Sequence, residues 1–257
     1  MKNTAILVTS TSGIDYVLEN EKVSIARLTV AFNGKEYIDY KEIKAEDFYQ
    51  MMLDNPNADI HTSQVSTGAF VEAYEDLKSK GFKNILVITL SSKLSGTYNG
   101  ATLAKELVND LNIEVIDSKT VSYGEYYLVK KALEFLNEGI EFSELVKKVD
   151  KLKSDVKIYV LVDTLKYLVK NGRLSSTAGL LGTLLKIKPL LKIMEDGSLK
   201  PFEKIRTTSK AQKRALELVL EETKDLNVEF FVAYTTNKDK AEEIKEELLS
   251  LKKDAKV

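Results

Sequence analysis

The chain has 257 residues, 44% of them hydrophobic, and its 38 basic and 39 acidic side chains leave a net charge of −1. This composition suits one large or two modest globular domains, and the interleaved charges argue against a nucleic-acid surface or a polybasic membrane patch. Because the chain has no cysteine, disulfides, thiolate nucleophiles and cysteine metal sites are excluded.

The N-terminal stretch "MKNTAILVTSTSGID" has an apolar run of only four residues, 5–8, before hydroxyl side chains and a glycine begin. Such a run is too short for the apolar region of a signal peptide. Together with the lack of cysteine, which fits a reducing compartment, it predicts a cytoplasmic protein.

Short apolar runs rich in β-branched residues alternate with helical patterns along the chain. The predicted strands are AILV at 5–8, ILVITL at 85–90, IEVI at 113–116, KIYVLV at 157–162 and EFFVAY at 229–234. Alternation of this kind is typical of parallel sheets covered by helices, so the sequence predicts an α/β fold.

The first well-marked helix begins at an N-cap that is either Ser66 or Thr67 and ends at Gly81. Its apolar residues recur at helical spacing and predict a stripe that faces a sheet. They are Phe70, Ala73, Tyr74 and Leu77.

Two further helices follow in the first half of the chain. One has Ser95 in the N-cap position, and its pattern predicts that Tyr98, Leu103 and Leu107 are buried. The other lies in "YYLVKKALEFLNEG" and is closed by Gly139.

The second half is organised differently. "KPLLKIMEDGSLKPFEKIRT" reads as two extended runs around Asp196 and Gly197, which is a hairpin turn signal. Two amphipathic, mixed-charge helices follow at 209–225 and 238–254. We therefore predict two α/β domains, 1–158 with a parallel sheet and 159–257 with a mixed sheet that includes the hairpin.

Serine and threonine recur directly after strands or at helix starts. Each one alone is also a usual N-cap or turn residue, but the carboxyl ends of parallel strands meet at one sheet edge, where ligands bind. A helix beginning near Ser95 adds unpaired N–H groups that suit a carboxylate or phosphate. Recurrence after at least four strands therefore favours a binding site. The hydroxyl residues are Thr9, Ser10, Thr11, Ser12, Thr62, Ser63, Ser66, Ser91, Ser92, Ser95, Thr97, Ser118 and Thr120.

The sequence lacks common enzyme signatures. It contains neither a phosphate loop nor a dinucleotide fingerprint, and His61 is its only histidine, which makes a serine triad or a multi-histidine metal site hard to build. A non-enzymatic binding protein without a metal or cofactor is therefore favoured. The alternative is a phosphotransferase or hydrolase that uses the hydroxyl-rich strand ends.

The stretch "KNGRLSSTAGLLGTLLKIKPLL" combines cations with an uncharged run. Its uncharged residues, 174–185, fall short of the ~20 that a membrane-spanning helix needs, so no stable membrane insertion is expected. As a helix it has one bulky leucine face and one face of small residues, which permits close packing of another helix or of an apolar ligand. Arg173, Lys204 and Arg206 could form a basic lip for an anionic group, although Arg173 after a helix-ending turn could equally point to water.

Several ordered segments together resemble the DegV family of bacterial fatty-acid-binding proteins. They are "ILVTSTSGID", "TSQVSTGAF", "ITLSSKLSGTYNGA", "VIDSKTVSYG", "LVDTLKYLVKNGRLSSTAGLLGTLLKIKPLL" and "GSLKPFEKIRT". The resemblance implies two α/β domains that enclose one long-chain fatty acid in a tunnel between them. It also implies that the protein presents the carboxylate to a separate fatty-acid kinase, which makes an acyl phosphate for phospholipid synthesis.

The resemblance also implies roles for particular residues. Thr62 and Ser95 look like the carboxylate ligands, with Ser63 and Ser92 as neighbours. Arg173, in the place of the family's Gly-Gly-Arg turn, is similar to the arginine that works with the kinase, and Arg206 is a second candidate for the partner or head-group contact. The residues assigned to the acyl tunnel are Leu180, Gly182 and Leu184.

The chain departs from the family pattern at three places. Thr9 stands where the first motif usually has aspartate, and Tyr234 stands where many members have histidine. The sequence ends at "KKDAKV", without the His-x-Gly-Pro-Gly segment whose histidine helps to hold the carboxylate. Either this sequence lacks the last strand and this segment of the second domain, or the ligand is held without them.

Overall fold

The structure is a computed structural model that describes residues 3–174, 188–253 and 255–257. In these ranges the strands are β1 (Thr4–Thr9), β2 (Val23–Ala26), β3 (Thr29–Phe32), β4 (Lys35–Ile38), β5 (Ile60–Ser63), β6 (Asn84–Thr89), β7 (Asn112–Asp117), β8 (Tyr159–Val160), β9 (Leu190–Ile193) and β10 (Leu199–Glu203). The α-helices are α1 (Ala45–Asp54), α2 (Thr67–Ser79), α3 (Thr97–Lys105), α4 (Tyr123–Asn137), α5 (Phe142–Leu152), α6 (Lys166–Lys170), α7 (Thr208–Thr223) and α8 (Lys238–Leu251). Short 3-10 turns span Ser10–Ser12, Ile14–Tyr16 and Lys153–Asp155.

Three sheets organise these strands. The largest is parallel, in the order β2-β1-β6-β7. A second sheet, β4-β3-β5, is antiparallel, and a third has the order β10-β9-β8 with β8 antiparallel to β9. The predicted α/β fold with a parallel sheet in the first half of the chain is confirmed.

The chain forms two compact units. The first comprises Met1–Ile43, Asp59–Ile158 and Ile193–Leu199, and the second comprises Lys44–Ala58, Tyr159–Lys192 and Lys200–Val257. Both units are discontinuous, whereas the predicted domains 1–158 and 159–257 are continuous segments.

The core of the first unit lies on both faces of the parallel sheet. On one face Ile6, Val8, Leu86 and Ile88 pack with the buried sides of α4 and α5. On the other face, the alternate residues of the same strands pack with α2 and α3. Since side chains alternate across a strand and both faces are covered, β1 is buried along its whole length.

Helix α2 matches its prediction. The Ser66 hydroxyl accepts a hydrogen bond from the Ala69 amide at 3.1 Å, so Ser66 is the N-cap. Phe70, Tyr74 and Leu77 are buried. Gly81 follows the helix with a φ of +89°, a conformation that glycine adopts without steric cost.

Helix α3 buries a different face from the predicted one. Leu103 and Leu107 are 61% and 65% exposed, so their predicted burial is wrong. The helix instead turns small residues inward, because its neighbours come close: Tyr74 donates a hydrogen bond to the Ala101 carbonyl at 3.0 Å, and a Cβ on Gly100 would lie 3.2 Å from the Val65 carbonyl oxygen. A leucine does not fit at that separation. The buried residues of α3 are Thr97, Gly100, Ala101 and Ala104.

Two predicted strands differ from the structure. Of residues 157–162 only Tyr159–Val160 form a strand. The predicted strand at 229–234 is wrong, because the pairing there is an isolated bridge between Glu229 and Lys256. Residues 229–234 are half-buried or exposed, so their apolar side chains are not enclosed as a central strand requires.

The predicted hairpin is confirmed, with its turn between β9 and β10. The Gly197 amide donates to the Met194 carbonyl at 2.8 Å, and the Met194 amide donates to the Ser198 carbonyl at 2.9 Å. Gly197 has a φ of +85°, and the Asp196 carboxylate accepts from the Ser198 amide at 3.0 Å. Over the described ranges, no helix is long and apolar enough to cross a bilayer.

Candidate functional site

Three hydroxyl-rich loops lie at one edge of the parallel sheet. They follow β1, β6 and β7, which are adjacent and parallel. The Leu90 amide donates to the Thr9 hydroxyl at 3.2 Å, and the Ser91 amide donates to the Thr120 carbonyl at 2.8 Å. The hydroxyl groups that the sequence places after these strands are therefore neighbours in space.

The TSQ and SGT segments meet in the first unit. Thr62 and Ser63 are exposed residues of β5, and the next residue, Gln64, lies against Gly96: a Cβ on that glycine would be 2.1 Å from Gln64 Oε1. The Val65 amide donates to Thr97 Oγ1 at 3.4 Å. The segment that carries Thr62 thus packs against the segment that carries Ser95.

Ser95 is half-buried, and its hydroxyl is hydrogen-bonded to Thr97. Its hydroxyl oxygen accepts from the Thr97 amide at 3.3 Å and lies 2.9 Å from Thr97 Oγ1. When the Thr97 hydroxyl also donates to it, both acceptor positions of the Ser95 oxygen are occupied. The Ser95 hydrogen then remains for a ligand.

Ser92 has a partner that the sequence-based hypothesis did not foresee. Its hydroxyl donates to Asp117 Oδ2 at 2.6 Å, and its amide donates to Asp117 Oδ1 at 3.1 Å. The Lys119 amide donates to the same carboxylate at 3.1 Å. Ser92 therefore joins the β6–α3 loop to the end of β7, and its assignment as a ligand neighbour stays a prediction.

Ser91 anchors the same loop to the hairpin. Its hydroxyl donates to the Gly197 carbonyl at 2.8 Å. Its own carbonyl accepts from the Leu94 amide at 3.0 Å and from the Ser95 amide at 3.2 Å. Ser91 is fully buried and therefore fixes the backbone that presents Ser95.

Sequence reasoning missed Glu125, a fully buried carboxyl group on α4. The Thr9 hydroxyl makes a short hydrogen bond to Glu125 Oε2, and Thr11 Oγ1 lies 2.6 Å from Oε1. Burial raises the pKa of Glu125 to about 8, against the opposing effect of the hydrogen bonds from Thr11, Thr9 and the Ser122 backbone. A signal was present: Glu125 precedes Leu128, Val129 and Ala132 by three, four and seven residues, which places an acid on a buried helical stripe.

The remaining candidate residues belong to the second unit, have other partners or lie outside the described ranges. Arg173 belongs to the second unit, follows Gly172 with its φ of +71°, and donates from Nη1 to the Asn171 carbonyl at 2.5 Å. Arg206 is exposed. His61 is exposed, with Nε2 2.9 Å from Asp59 Oδ1. The acyl-tunnel residues Leu180, Gly182 and Leu184 lie outside the described residues. Within the described ranges, no cluster of three or more acidic or histidine side chains is placed to hold a metal ion.

Comparison with known proteins assigns the family. The sequence profile of the DegV family matches residues 3–257. This chain belongs to the DegV family. A DegV domain-containing protein of Staphylococcus aureus (strain COL) is 38% identical over 208 residues, which cover 80% of this chain and 73% of that protein.

Solved DegV structures are also similar. The chain matches DegV of Bacillus subtilis, described as a fatty acid binding protein, with a TM-score of 0.87 and 30% identity over 99% of this chain and 90% of that one. It matches a stearic acid-binding protein of Eubacterium ventriosum with a TM-score of 0.85 and 27% identity over 96% and 87% of the two chains. Both of these structural neighbours are thus described as fatty-acid-binding proteins.

Proposed function

We propose that this DegV family protein binds a long-chain fatty acid, with Thr62 and Ser95 donating hydrogen bonds to the carboxylate. The observation that carries the proposal is the packing of Gln64 against Gly96, next to a half-buried Ser95 hydroxyl that accepts from the Thr97 amide at 3.3 Å. Ser63 follows Thr62 on β5 and completes the polar end of the site. The similarity to fatty-acid-binding DegV structures supports the same ligand class.

The energetics are consistent with this ligand. Transfer of an acyl chain out of water gains ~0.8 kcal/mol for each buried CH₂, which for a long chain exceeds the cost of ordering it. Desolvation of the carboxylate opposes binding, because a buried anion without partners is strongly disfavoured. Hydroxyl and backbone N–H donors offset that cost without covering the carboxylate oxygens with a fixed cation.

We further propose that the protein acts in the cytoplasm as a carrier that presents the carboxylate to a fatty-acid kinase. The kinase transfers a phosphoryl group to a carboxylate oxygen, and the acyl phosphate enters phospholipid synthesis. Arg173 and Arg206 are the candidates for contact with the kinase or with the head group. This assignment rests on the family resemblance and on the half-buried position of Arg173 after α6.

The alternative, an enzyme that uses the strand-end hydroxyls, finds little support in the described residues. A serine nucleophile needs an adjacent general base. The Ser91 hydroxyl donates to a backbone carbonyl, and the Ser92 hydroxyl donates to Asp117, which also accepts two amide hydrogen bonds and so acts as a loop brace.

Thr62→Ala and Ser95→Ala should each weaken stearic acid binding by about tenfold or more, because a hydrogen bond to a charged group contributes ~1.5–3 kcal/mol. Displacement of a fluorescent fatty acid measures the change. Thr102→Ala is the matched control, since its hydroxyl lies on α3 and donates to the Tyr98 carbonyl at 3.0 Å. Unchanged affinity in both site variants would disprove this carboxylate site.

If the Arg173 charge contacts the kinase, Arg173→Ala should leave the affinity for stearic acid within about twofold of the wild type. The rate at which a purified bacterial fatty-acid kinase forms acyl phosphate should fall by about tenfold or more. Lys170→Ala, which removes an exposed cation at the end of the same helix, serves as the control. A loss of affinity instead identifies Arg173 as a head-group contact. Unchanged affinity together with unchanged turnover would remove Arg173 from both roles.

A further inference from the structure

The buried Glu125 forms a closed arrangement of oxygen atoms with two threonines. Thr9 Oγ1 contacts Glu125 Oε2, Thr11 Oγ1 lies 2.6 Å from Glu125 Oε1, and the two threonine oxygens are 2.9 Å apart. Three oxygen–oxygen contacts of hydrogen-bond length need three hydrogens. The two hydroxyl groups supply two of them.

The third hydrogen has to come from the carboxyl group. If Glu125 were ionised, both hydroxyls would donate to it, and the two threonine oxygens would face each other with lone pairs at 2.9 Å. A neutral acid closes the ring, because its proton goes to one threonine, that threonine donates to the other, and the second donates back to the acid. The Leu90 amide donates into this ring at Thr9 Oγ1, 3.2 Å away.

We infer that Glu125 is a positioning residue that works as a neutral carboxylic acid, holding the loop that carries Ser95 in its fatty-acid-binding form. The connection runs from Glu125 through Thr9 to the Leu90 amide, and Leu90 is followed by Ser91, whose carbonyl accepts from the Ser95 amide at 3.2 Å. This inference rests on the proposed carboxylate site. The burial of Glu125, which raises its pKa, is consistent with the proton count.

Other ionisable groups lie on the helix and turn that form the ring, but not on the adjoining strands. Strands β1 and β6, which pack against α4, have none in their sequences TAILVT and NILVIT. Next to the Ser10–Ser12 turn is Asp39, which bonds Ser10 and interacts with Arg27 and Asp15. Helix α5 contributes Lys148, whose Nζ lies 5.2 Å from the centre of the Phe135 ring. The ionisable side chains of α4 itself, besides Glu125, are Tyr123, Tyr126, Tyr127, Lys130, Lys131 and Glu134. All of these remain in a Glu125→Gln variant, so a pH effect that this variant loses belongs to Glu125.

Loss of the Glu125 proton has two effects on the ligand site. The ring loses one of its three hydrogen bonds, and Thr9 is no longer held on both sides. A negative charge also appears in the unit that binds a fatty-acid anion, which opposes binding. Both effects weaken fatty-acid binding above the pH at which Glu125 ionises.

The experiment measures stearic acid affinity between about pH 6.5 and about pH 9.5 for the wild type, Glu125→Gln, Thr11→Val and Glu138→Gln. We expect the wild type and Glu138→Gln, an exposed control at the end of α4, to lose about fivefold or more of their affinity between about pH 7 and about pH 9. The affinity of Glu125→Gln, which keeps a neutral group of the same shape, should not change over this pH range. Thr11→Val, which removes two of the three hydrogen bonds of the ring, should bind stearic acid more weakly than the wild type already at pH 7.

Infrared spectra provide a readout that does not need the ligand. At pH 7, the difference between wild type and Glu125→Gln should contain the carbonyl stretch of a neutral carboxylic acid, and its absence overturns the inference. If the affinity of the wild type and that of Glu125→Gln change with pH in parallel, the inference is also overturned, while the proposed carrier function stays in place. If none of the four proteins binds stearic acid at pH 7, the carrier function fails and this inference fails with it.

Discussion

In Glu125→Gln, we expect the free energy of unfolding to fall less steeply with pH than in the wild type between about pH 4.5 and about pH 8. The ordinary pKa of the group is 4.5, and burial raises it to about 8 in the folded protein. The folded state therefore keeps a proton that the unfolded chain has released. In this window each pH unit lowers wild-type stability by about 1.4 kcal/mol through this group, while below the window its stabilising contribution is fully present.

Urea unfolding at a series of pH values measures this difference. Glu138→Gln is the control, because Glu138 is exposed at the end of the same helix and its replacement removes the same formal charge. Its profile should run parallel to that of the wild type. Equal slopes in Glu125→Gln and the wild type would show that Glu125 has no raised pKa in the folded protein.

Gly197→Ala should destabilise the protein by about 3 kcal/mol. The new Cβ would lie 2.2 Å from Ser91 Oγ and 3.1 Å from Lys119 Cα, so the hairpin turn has to move away from the β6–α3 loop. Overpacking of this kind costs ~1–3 kcal/mol. The positive φ of +85° adds about 1–2 kcal/mol for any residue with a Cβ.

Gly34→Ala separates these two contributions. Gly34 has a φ of +81°, and a Cβ there would have no atom within 4 Å, so this variant should lose only the ~1–2 kcal/mol of backbone strain. Thermal unfolding of both variants measures the difference. The same loss in both would mean that the contact between Gly197 and Ser91 contributes nothing. Because Ser91 holds the Ser95 amide, Gly197→Ala should also weaken stearic acid binding, whereas Gly34→Ala should not.

Helix α3 shows how far a periodic pattern can be trusted. Leu103 and Leu107 are at helical spacing, and the prediction that a helix follows Ser95 was correct, although the helix ends at Lys105, before Leu107. The buried side of the helix depends on close approaches by other elements: Tyr74 bonds the Ala101 carbonyl, and the Val65 carbonyl lies where a Cβ on Gly100 would be. A hydrophobic stripe therefore predicts a helix more securely than it predicts its buried face.

For the candidate site, too, the sequence predicted some features and not others. The run of hydroxyl residues after the strands predicted that polar groups gather at one edge of the sheet, and the loops after β1, β6 and β7 do lie together there. The sequence did not reveal that Ser92 is paired with Asp117. It also did not reveal that Thr9, at the end of β1, contacts an acid on α4.

The sequence by itself determined the features that adjacent residues encode: the buried parallel strands, the N-cap of α2 and the turn at Asp196 and Gly197. These depend on side-chain alternation, local capping and backbone conformation, which act over a few residues. Only the tertiary structure decided the partners of the polar groups, because those partners lie 25 residues apart for Ser92 and Asp117, 106 for Ser91 and Gly197, and 116 for Thr9 and Glu125. Whether a buried hydroxyl binds a ligand, braces a loop or holds a proton depends on which groups the fold brings within about 3 Å of it.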